Sequence, residues 1–325
     1  MATALATLMS LPTVPLAPET TPLVPLARLR RTLGGDCPRL LIKRDDLLSF
    51  AMGGNKVRKM HTMAAEVLAA GADTLITCGG VQSNHARVTA AAGAVLGLRV
   101  ILVVNGARPD QPTGNARLDA LFGADVRFVA TRDERTAAME AIAADLTRRG
   151  SKPFVIPLGA STPTGALGFA RGIGEIAIAG VTPDVIVHST SSGGTQAGLI
   201  AGCALFGLRA RILGVSADDP AAALQQTIGS LLDRIADRLG AARSTIGADR
   251  PVDVDDRFVG EGYGVPTAAS TDALELLART EGIVLDPVYT AKAMAGLLAR
   301  IRAGEFRKDE TIIFWHTGGQ PGLFA

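Results

Sequence analysis

Val185-Ile186-Val187 is apolar at every position. A strand with one wet face alternates apolar and polar residues, so a run without alternation has to be covered on both faces. That is the situation of a parallel strand lying under helices. Short β-branched runs of similar length recur along the chain: Leu40–Arg44, Thr74–Cys78, Val100–Val104, Val126–Val129, Phe154–Pro157, Val185–His188, Ile212–Ser216 and Thr311–Trp315. Between them lie stretches with helical spacing. Val57, Met60, Met63, Ala64, Val67 and Leu68 fall on one helix face, and Leu274, Leu277, Ala278 and Ile283 mark another. The alternation predicts an α/β architecture, with parallel-rich sheets flanked by helices.

A chain of 325 residues can hold two lobes. Candidate boundaries are the helix start at Lys56 and the turn-rich stretch Pro157–Thr164. They suggest a small domain, 56–174, inserted into a large domain made of 1–55 and 175–325. The stretch Met1–Leu26 is rich in Pro and Thr and reads as an extended arm packed on a partner subunit.

Composition excludes several classes of function. The net charge of +2 and the 4% aromatic content give no case for nucleic acid or an anionic membrane. No apolar run is long enough to span a bilayer, and the start lacks the basic region of a signal peptide. Cys37, Cys78 and Cys203 are widely spaced, so neither a metal site nor a disulfide framework is expected. A reducing, cytoplasmic setting is expected.

Lys56 sits in Gly53-Gly54-Asn55-Lys56-Val57-Arg58-Lys59, where a glycine turn gives way to a helix. Most lone lysines in such places are solvated surface cations. Here, however, Lys56, Arg58 and Lys59 crowd a first turn that ordinarily favours acids, which points to an anion nearby. A helix N-terminus, desolvation and neighbouring cations all favour the neutral amine. Such an amine is suited to a Schiff base with an aldehyde cofactor.

Three polar turns follow predicted strands. Thr190-Ser191-Ser192-Gly193-Gly194-Thr195 offers hydroxyls and free N–H groups at a helix start, an anion cradle, against the plainer reading of a capped flexible turn. A dinucleotide fold competes, since Asp218 follows the next strand, but the glycines read GGxxxG and not GxGxxG. A Walker lysine is also absent, and a phosphate monoester fits best. Gln82-Ser83-Asn84-His85 offers donors for a carboxylate, or simply caps a helix. His316-Thr317-Gly318-Gly319 closes the final strand. The only tyrosines, Tyr263 and Tyr289, lie in turn-like contexts outside any core stripe.

Taken together, IKRDDL at Ile42–Leu47, GGNKVRK, CGGVQSNHARVTAAAG, SSGGTQAGL, LDPVYTAKAMAGL and HTGG resemble the D-cysteine desulfhydrase / 1-aminocyclopropane-1-carboxylate deaminase family. The matches run in order through nearly the whole chain. The resemblance implies a two-domain pyridoxal-phosphate enzyme of fold type II, the tryptophan synthase β-like fold, with the cofactor on the large domain. It implies that Lys56 holds the cofactor and acts as the base. Ser191, Ser192, Gly193, Gly194 and Thr195 would hold its phosphate. Asn84 would hydrogen-bond its 3′-oxygen, with Thr290 and Thr317 near the pyridine nitrogen. Ser83, Asn84 and His85 would meet the substrate carboxylate. Tyr289 and Tyr263 would flank cofactor and substrate. A homodimer is implied too.

The implied reaction is α,β-elimination of a β-substituted alanine to a 2-keto acid and ammonia, with D-cysteine the first choice. Ring-opening relatives typically carry Glu at the position of Thr290 and Leu at that of Thr317, and this chain has neither. L-cysteate, losing sulfite, is the nearest alternative, followed by opening of the cyclopropane. A cofactor binder without turnover and a nicotinamide dehydrogenase stand as rival classes. The chain departs from the family pattern at Met60-His61 and at Thr190-Ser191-Ser192, and Asp218-Asp219 makes that turn unexpectedly acidic.

Overall fold

The structure, a computed structural model, describes residues 1–17 and 20–325. Among these residues the strands in chain order are β1 (Leu23–Pro25), β2 (Arg39–Arg44), β3 (Thr74–Gly80), β4 (Arg99–Asn105), β5 (Asp125–Val129), β6 (Pro153–Val155), β7 (Val185–Thr190), β8 (Arg211–Ser216), β9 (Asp253–Asp255) and β10 (Thr311–His316). They form a six-stranded sheet, β1-β2-β10-β7-β8-β9, and a four-stranded sheet, β5-β4-β3-β6. Only the β1–β2 pairing is antiparallel among the described residues.

Strand β7 shows why its run is apolar throughout. It pairs with β10 on one side and β8 on the other, and all of its residues are buried. Ile186 joins Leu41, Ile212, Ile313 and Trp315 under the helices Pro163–Ile178, Gly194–Leu205 and Ala221–Leu239. Val185 and Val187 face the other way, with Leu213, Val215, Ile312 and Phe314, under Ala268–Glu281 and Thr290–Arg302. Fully burying each such side chain contributes about 1.5–3 kcal/mol. The smaller sheet is layered similarly. Leu75, Leu102 and Val104 pack with residues of Asn55–Ala69 and Asn84–Leu96. Ile76, Ile101 and Val103 pack with Met139 and Leu146 of Glu134–Arg148. The helix Pro163–Ile178 continues past Gly174, where a domain edge was expected.

The N-terminal arm is not extended. Ala2–Ser10 is a helix, and Ala4 and Leu8 are buried in the chain's own core. Residues four apart share a helix face, and the prolines that suggested extension begin only at Pro12. Beyond them Leu23–Pro25 adds an edge strand, a position that tolerates proline. Pro18 and Glu19, also in that stretch, lie outside the described residues.

A buried ion network joins the layers. Arg58 donates to both oxygens of Asp45, each at 2.7 Å, and from Nη1 to Glu175 Oε1 at 2.5 Å. Lys43 pairs with Glu175 and donates to the Thr21 carbonyl. Trp315 Nε1 donates to Asp45 Oδ2 at 2.7 Å. Burial alone would raise the Asp45 pKa, but the Arg58 charge and hydrogen bonds, with Trp315, outweigh it and the pKa falls. The charges are thereby mutually satisfied, whereas removing one partner strands the others. Arg58→Met is therefore expected to destabilise the fold by about 3–5 kcal/mol. The readout is a fall in the urea midpoint, and an unchanged midpoint would refute this role for the network.

Candidate active site

The turn before Lys56 runs through Ala51, Met52, Gly53 and Gly54 with φ of 48°, 62°, 70° and 101°. Left-handed backbone is costly for residues with a side chain, and such strain persists where surrounding contacts impose it. The contacts are close here. A Cβ on Gly53 would lie 2.5 Å from the Asp46 carbonyl oxygen, and one on Gly54 2.8 Å from that of Thr317. A Cβ on Gly318 would fall 2.5 Å from Gly54 Cα, so the two turns touch backbone to backbone. Asn55 N–H then donates to the Thr317 carbonyl at 2.9 Å, and the helix Asn55–Ala69 begins. Lys56 is thus in the first turn, half-buried, with Nζ 3.2 Å from Asn55 Oδ1. Burial lowers its pKa to about 8, the nearby Arg87 cation adds to the fall, and Asp286 opposes it.

Lys56 opens onto a cavity of about 260 Å³. It lies at the carboxyl ends of strands from both sheets, where open α/β sheets bind ligands. Ser83, Asn84, His85, Ser191, Ser192, Gly193, Thr195, Thr317, Tyr263 and Tyr289 line it together with Lys56. Gly194 and Thr290 do not lie on its wall. Thr290 is fully buried, and its hydroxyl donates to Asp286 Oδ1 at 2.6 Å.

Each turn is shaped by its neighbours. Ser83 caps the helix Asn84–Leu96 by accepting from Ala86 N–H at 3.2 Å, which leaves its own proton available. Thr77 donates to the Ile156 carbonyl at 2.7 Å, so His85 Nε2, 2.7 Å from the same hydroxyl, must be the protonated nitrogen. Burial and the cations of Lys56 and Lys59 hold the His85 pKa well below the usual imidazole range. Its ring is therefore neutral, with Nδ1 bare. His316 is neutral too, its pKa lowered mainly by burial. Its Nδ1 accepts from Gly318 N–H at 3.2 Å, which holds the Thr317–Gly319 turn.

The 190–195 segment leaves β7, turns at Gly193 with φ of 78°, and enters the helix Gly194–Leu205. Its first-turn N–H groups have no intrahelical acceptors. Lys59 reaches the same loop from below: its Nζ donates to the Gly159 carbonyl at 3.0 Å, and a Cβ on Gly194 would sit 2.8 Å from it. On the same cavity wall the hydroxyls of Tyr263 and Tyr289 are 2.5 Å apart, with the rings edge to face. Burial, then Tyr263, raises the Tyr289 pKa well above the phenol range, so Tyr289 keeps its proton. Lys292 donates to the carbonyls of Val259 and Gly262 at 2.7 and 2.9 Å, fixing the loop that carries Tyr263.

Sequence reasoning missed several wall residues: Asn55, Asn105, Arg132, Arg135, Leu158, Gly159 and Ser189. Arg132 and Arg135 follow β5 just as Ser83 follows β3, so the rule that picked out the one turn could have found the other. Asp218 also reaches the wall, accepting from Ser191 Oγ at 3.1 Å. Burial and then Asp219 raise its pKa.

Three residues of this wall carry buried polar atoms that no protein group satisfies among the described residues. Ser189 Oγ, Thr190 Oγ1 and His85 Nδ1 have no hydrogen-bond partner among the described residues. Such orphans are costly in a folded protein. A phosphate-bearing group with a polar ring suits both them and the helix start.

Comparison with known proteins agrees with this chemistry. A family model described as pyridoxal-phosphate dependent enzyme matches residues 14–318. A D-cysteine desulfhydrase of Salmonella choleraesuis is 38% identical over 315 residues, 94% of this chain and 93% of that protein. The crystal structure of an ACC deaminase homologue superposes with a TM-score of 0.91 at 38% identity, covering 100% of this chain and 97% of that one. The processed form of threonine deaminase isoform 2 from Solanum lycopersicum shares the fold, with a TM-score of 0.69 at 20% identity over 97% of this chain and 83% of that one.

Lowering the Lys56 pKa makes the neutral amine abundant at lower pH. In the cofactor-free protein, its rate of reaction with an amine reagent should rise with pH through about 8. Peptide mass spectrometry of the labelled digest reads this, and a midpoint near the ordinary 10.5 would contradict the burial argument.

Proposed function

Since the chain belongs to the pyridoxal-phosphate dependent enzymes and has their fold type II architecture, we propose that it catalyses α,β-elimination of a β-substituted alanine, with D-cysteine the substrate and sulfide, ammonia and pyruvate the products. The observation that carries this reading is the half-buried Lys56, with a pKa of about 8, on a cavity shared with a helix-start anion cradle and a protonated tyrosine pair. The similarity to a D-cysteine desulfhydrase selects the substrate.

Ser191, Ser192, Gly193, Gly194 and Thr195 would hold the cofactor phosphate, Asn84 its 3′-oxygen, and Thr317 would stand by the ring. When bound, pyridoxal phosphate supplies an aldehyde for amine linkage and a conjugated ring that takes up electrons from Cα. Lys56 anchors the cofactor and, once displaced by the substrate amine, removes the α-proton as general base. A pKa near 8 suits both tasks, because the amine is neutral often enough to accept a proton yet basic enough to hold it. Ser83, with its free hydroxyl proton, Asn84 and the main-chain N–H of His85, whose ring proton is held by Thr77, orient the substrate carboxylate. Tyr289 retains the proton that a departing thiolate needs, and Tyr263 fixes its hydroxyl.

A neutral Thr317 on the wall where ring-opening relatives have an apolar residue, and no glutamate at position 290, where the Thr hydroxyl is taken by Asp286, favour elimination over ring opening. Arg132 and Arg135 on the cavity wall favour a second reading, loss of sulfite from L-cysteate, although Asp218 on the same wall and Asp219, 3.6 Å from Arg132, weaken their pull. The proposed setting is a cytoplasmic homodimer, with 56–174 as the small domain of each subunit.

A panel of D- and L-β-substituted alanines assayed for 2-keto acid tests the assignment. D-cysteine should give the highest kcat/KM, and Lys56→Ala should lose roughly a thousandfold or more in turnover. Borohydride should fix the cofactor onto Lys56. An adduct elsewhere, or no keto acid from any member of the panel, would refute the proposal.

A further inference from the structure

Arg87 lies in the first turn of Asn84–Leu96, fully buried behind the cavity wall. Its Nη1 donates to Asn84 Oδ1 at 2.9 Å and to Asn115 Oδ1 at 2.7 Å. Its Nη2 donates to the Gly53 carbonyl at 2.8 Å. Asn115 Nδ2 donates in turn to Asn84 Oδ1 at 3.0 Å and to the Gln82 carbonyl at 2.9 Å. Gln82 Oε1 accepts from Asn115 N–H at 2.8 Å. A guanidinium can only donate, so the Asn84 atom facing it has to be the carbonyl oxygen. The amide is planar, and the turned-away oxygen leaves Nδ2 without a partner among the described residues. Asn84 itself lines the cavity.

From this geometry we propose that Arg87 is a positioning residue: it clamps the Asn84 carbonyl oxygen so that the amide offers only N–H to an anionic ring oxygen in the cavity, and it ties that amide to the Gly53 turn that carries Lys56. The proposal rests on the pyridoxal-phosphate reading, in which Asn84 meets the cofactor 3′-oxygen. Without Arg87 only the Asn115 amide, itself oriented by Arg87, still holds the Asn84 oxygen, and the two amides can turn together to present the Asn84 oxygen, which repels another oxygen acceptor. The guanidinium is well suited to the task, because its fork reaches Asn84, Asn115 and Gly53 at once. A lysine would supply the charge without the fork. Asp119, buried nearby, carries a carboxyl whose pKa burial raises to about 7 against the pull of Arg87. Its Oδ1 has no hydrogen-bond partner among the described residues, so the clamp does not depend on a full ion pair.

The test is a double-mutant cycle read by titrating apoprotein with pyridoxal phosphate, following the visible absorption of the bound form. Asn84→Ala and Arg87→Met should each weaken binding roughly tenfold or more. In the Asn84→Ala background, Arg87→Met should add less than about threefold, because the two residues act as a unit. Arg87→Lys should behave like Arg87→Met despite keeping the charge. If Arg87→Met does not fold, Asn115→Ala, which removes the second donor to Asn84 Oδ1, takes its place in the cycle. Additive losses would overturn the proposal and assign Arg87 a generally structural role. Asn84→Ala binding as tightly as the parent would overturn it as well. Parent protein that binds no cofactor would sink the functional reading and the proposal together, an outcome distinct from additivity.

Discussion

The carboxylate of Asp45 is the point on which the layers converge. It follows the end of β2, fully buried, and is held by Arg58 from the helix Asn55–Ala69 and by Trp315 from β10. Arg58 in turn reaches Glu175 in Pro163–Ile178, and Glu175 reaches back to Lys43 in β2. Ions withdrawn from water in this way are tolerated only as a complete set. The set can be complete only when the central sheet and both helices are in register. Lys56 lies just two residues before Arg58, so the network that closes the core also sets where the amine stands.

The cations behind the cavity give it a consistent electrostatic character. Lys56, Lys59 and Arg87 are buried or half-buried within one neighbourhood, and Lys59 Nζ is held by a carbonyl and a hydroxyl, with no carboxylate among its partners in the described residues. Burial, with Lys56 beside it, lowers the Lys59 pKa well below the ordinary lysine range. An anion entering such a site relieves repulsion as well as making hydrogen bonds. A phosphate at the helix start and a substrate carboxylate near Ser83 would both profit from it. The proton-rich Tyr263–Tyr289 pair lines the same cavity, so phenol donors and the Lys56 amine share one small space.

Much of this was legible beforehand, and the exceptions have physical causes. Strands such as β7 and β4 announce themselves because burial on both faces demands unbroken apolar runs. β1 and β9, three residues each, are too short for any periodicity to register. The Ala2–Ser10 helix was hidden by the prolines that follow it. Lys56, Ser83, Asn84 and the 190–195 loop stood out because a polar turn after a strand is an intelligible local signal. Glu175 did not, because its partner Lys43 lies 132 residues away and a lone acid within a helix looks like a solvated face. For the same reason the motif at Ile42–Leu47 could be matched but not explained: its charges acquire a meaning only when Arg58 and Trp315 arrive. Thr290 shows the opposite limit. Its position was anticipated, yet its hydroxyl is engaged by Asp286 from four residues upstream, a local contact that competes with any ligand.

Gly54 and Gly318 approach so closely that a methyl group on Gly318 would strike the main chain of Gly54, and one on Gly54 the carbonyl of Thr317, the residue before Gly318. Although they stand far apart along the polypeptide, they behave as the two halves of a single mould. Anyone grafting this lysine into another scaffold would have to transplant both halves together, since copying the helix start alone would leave the amine without its backstop.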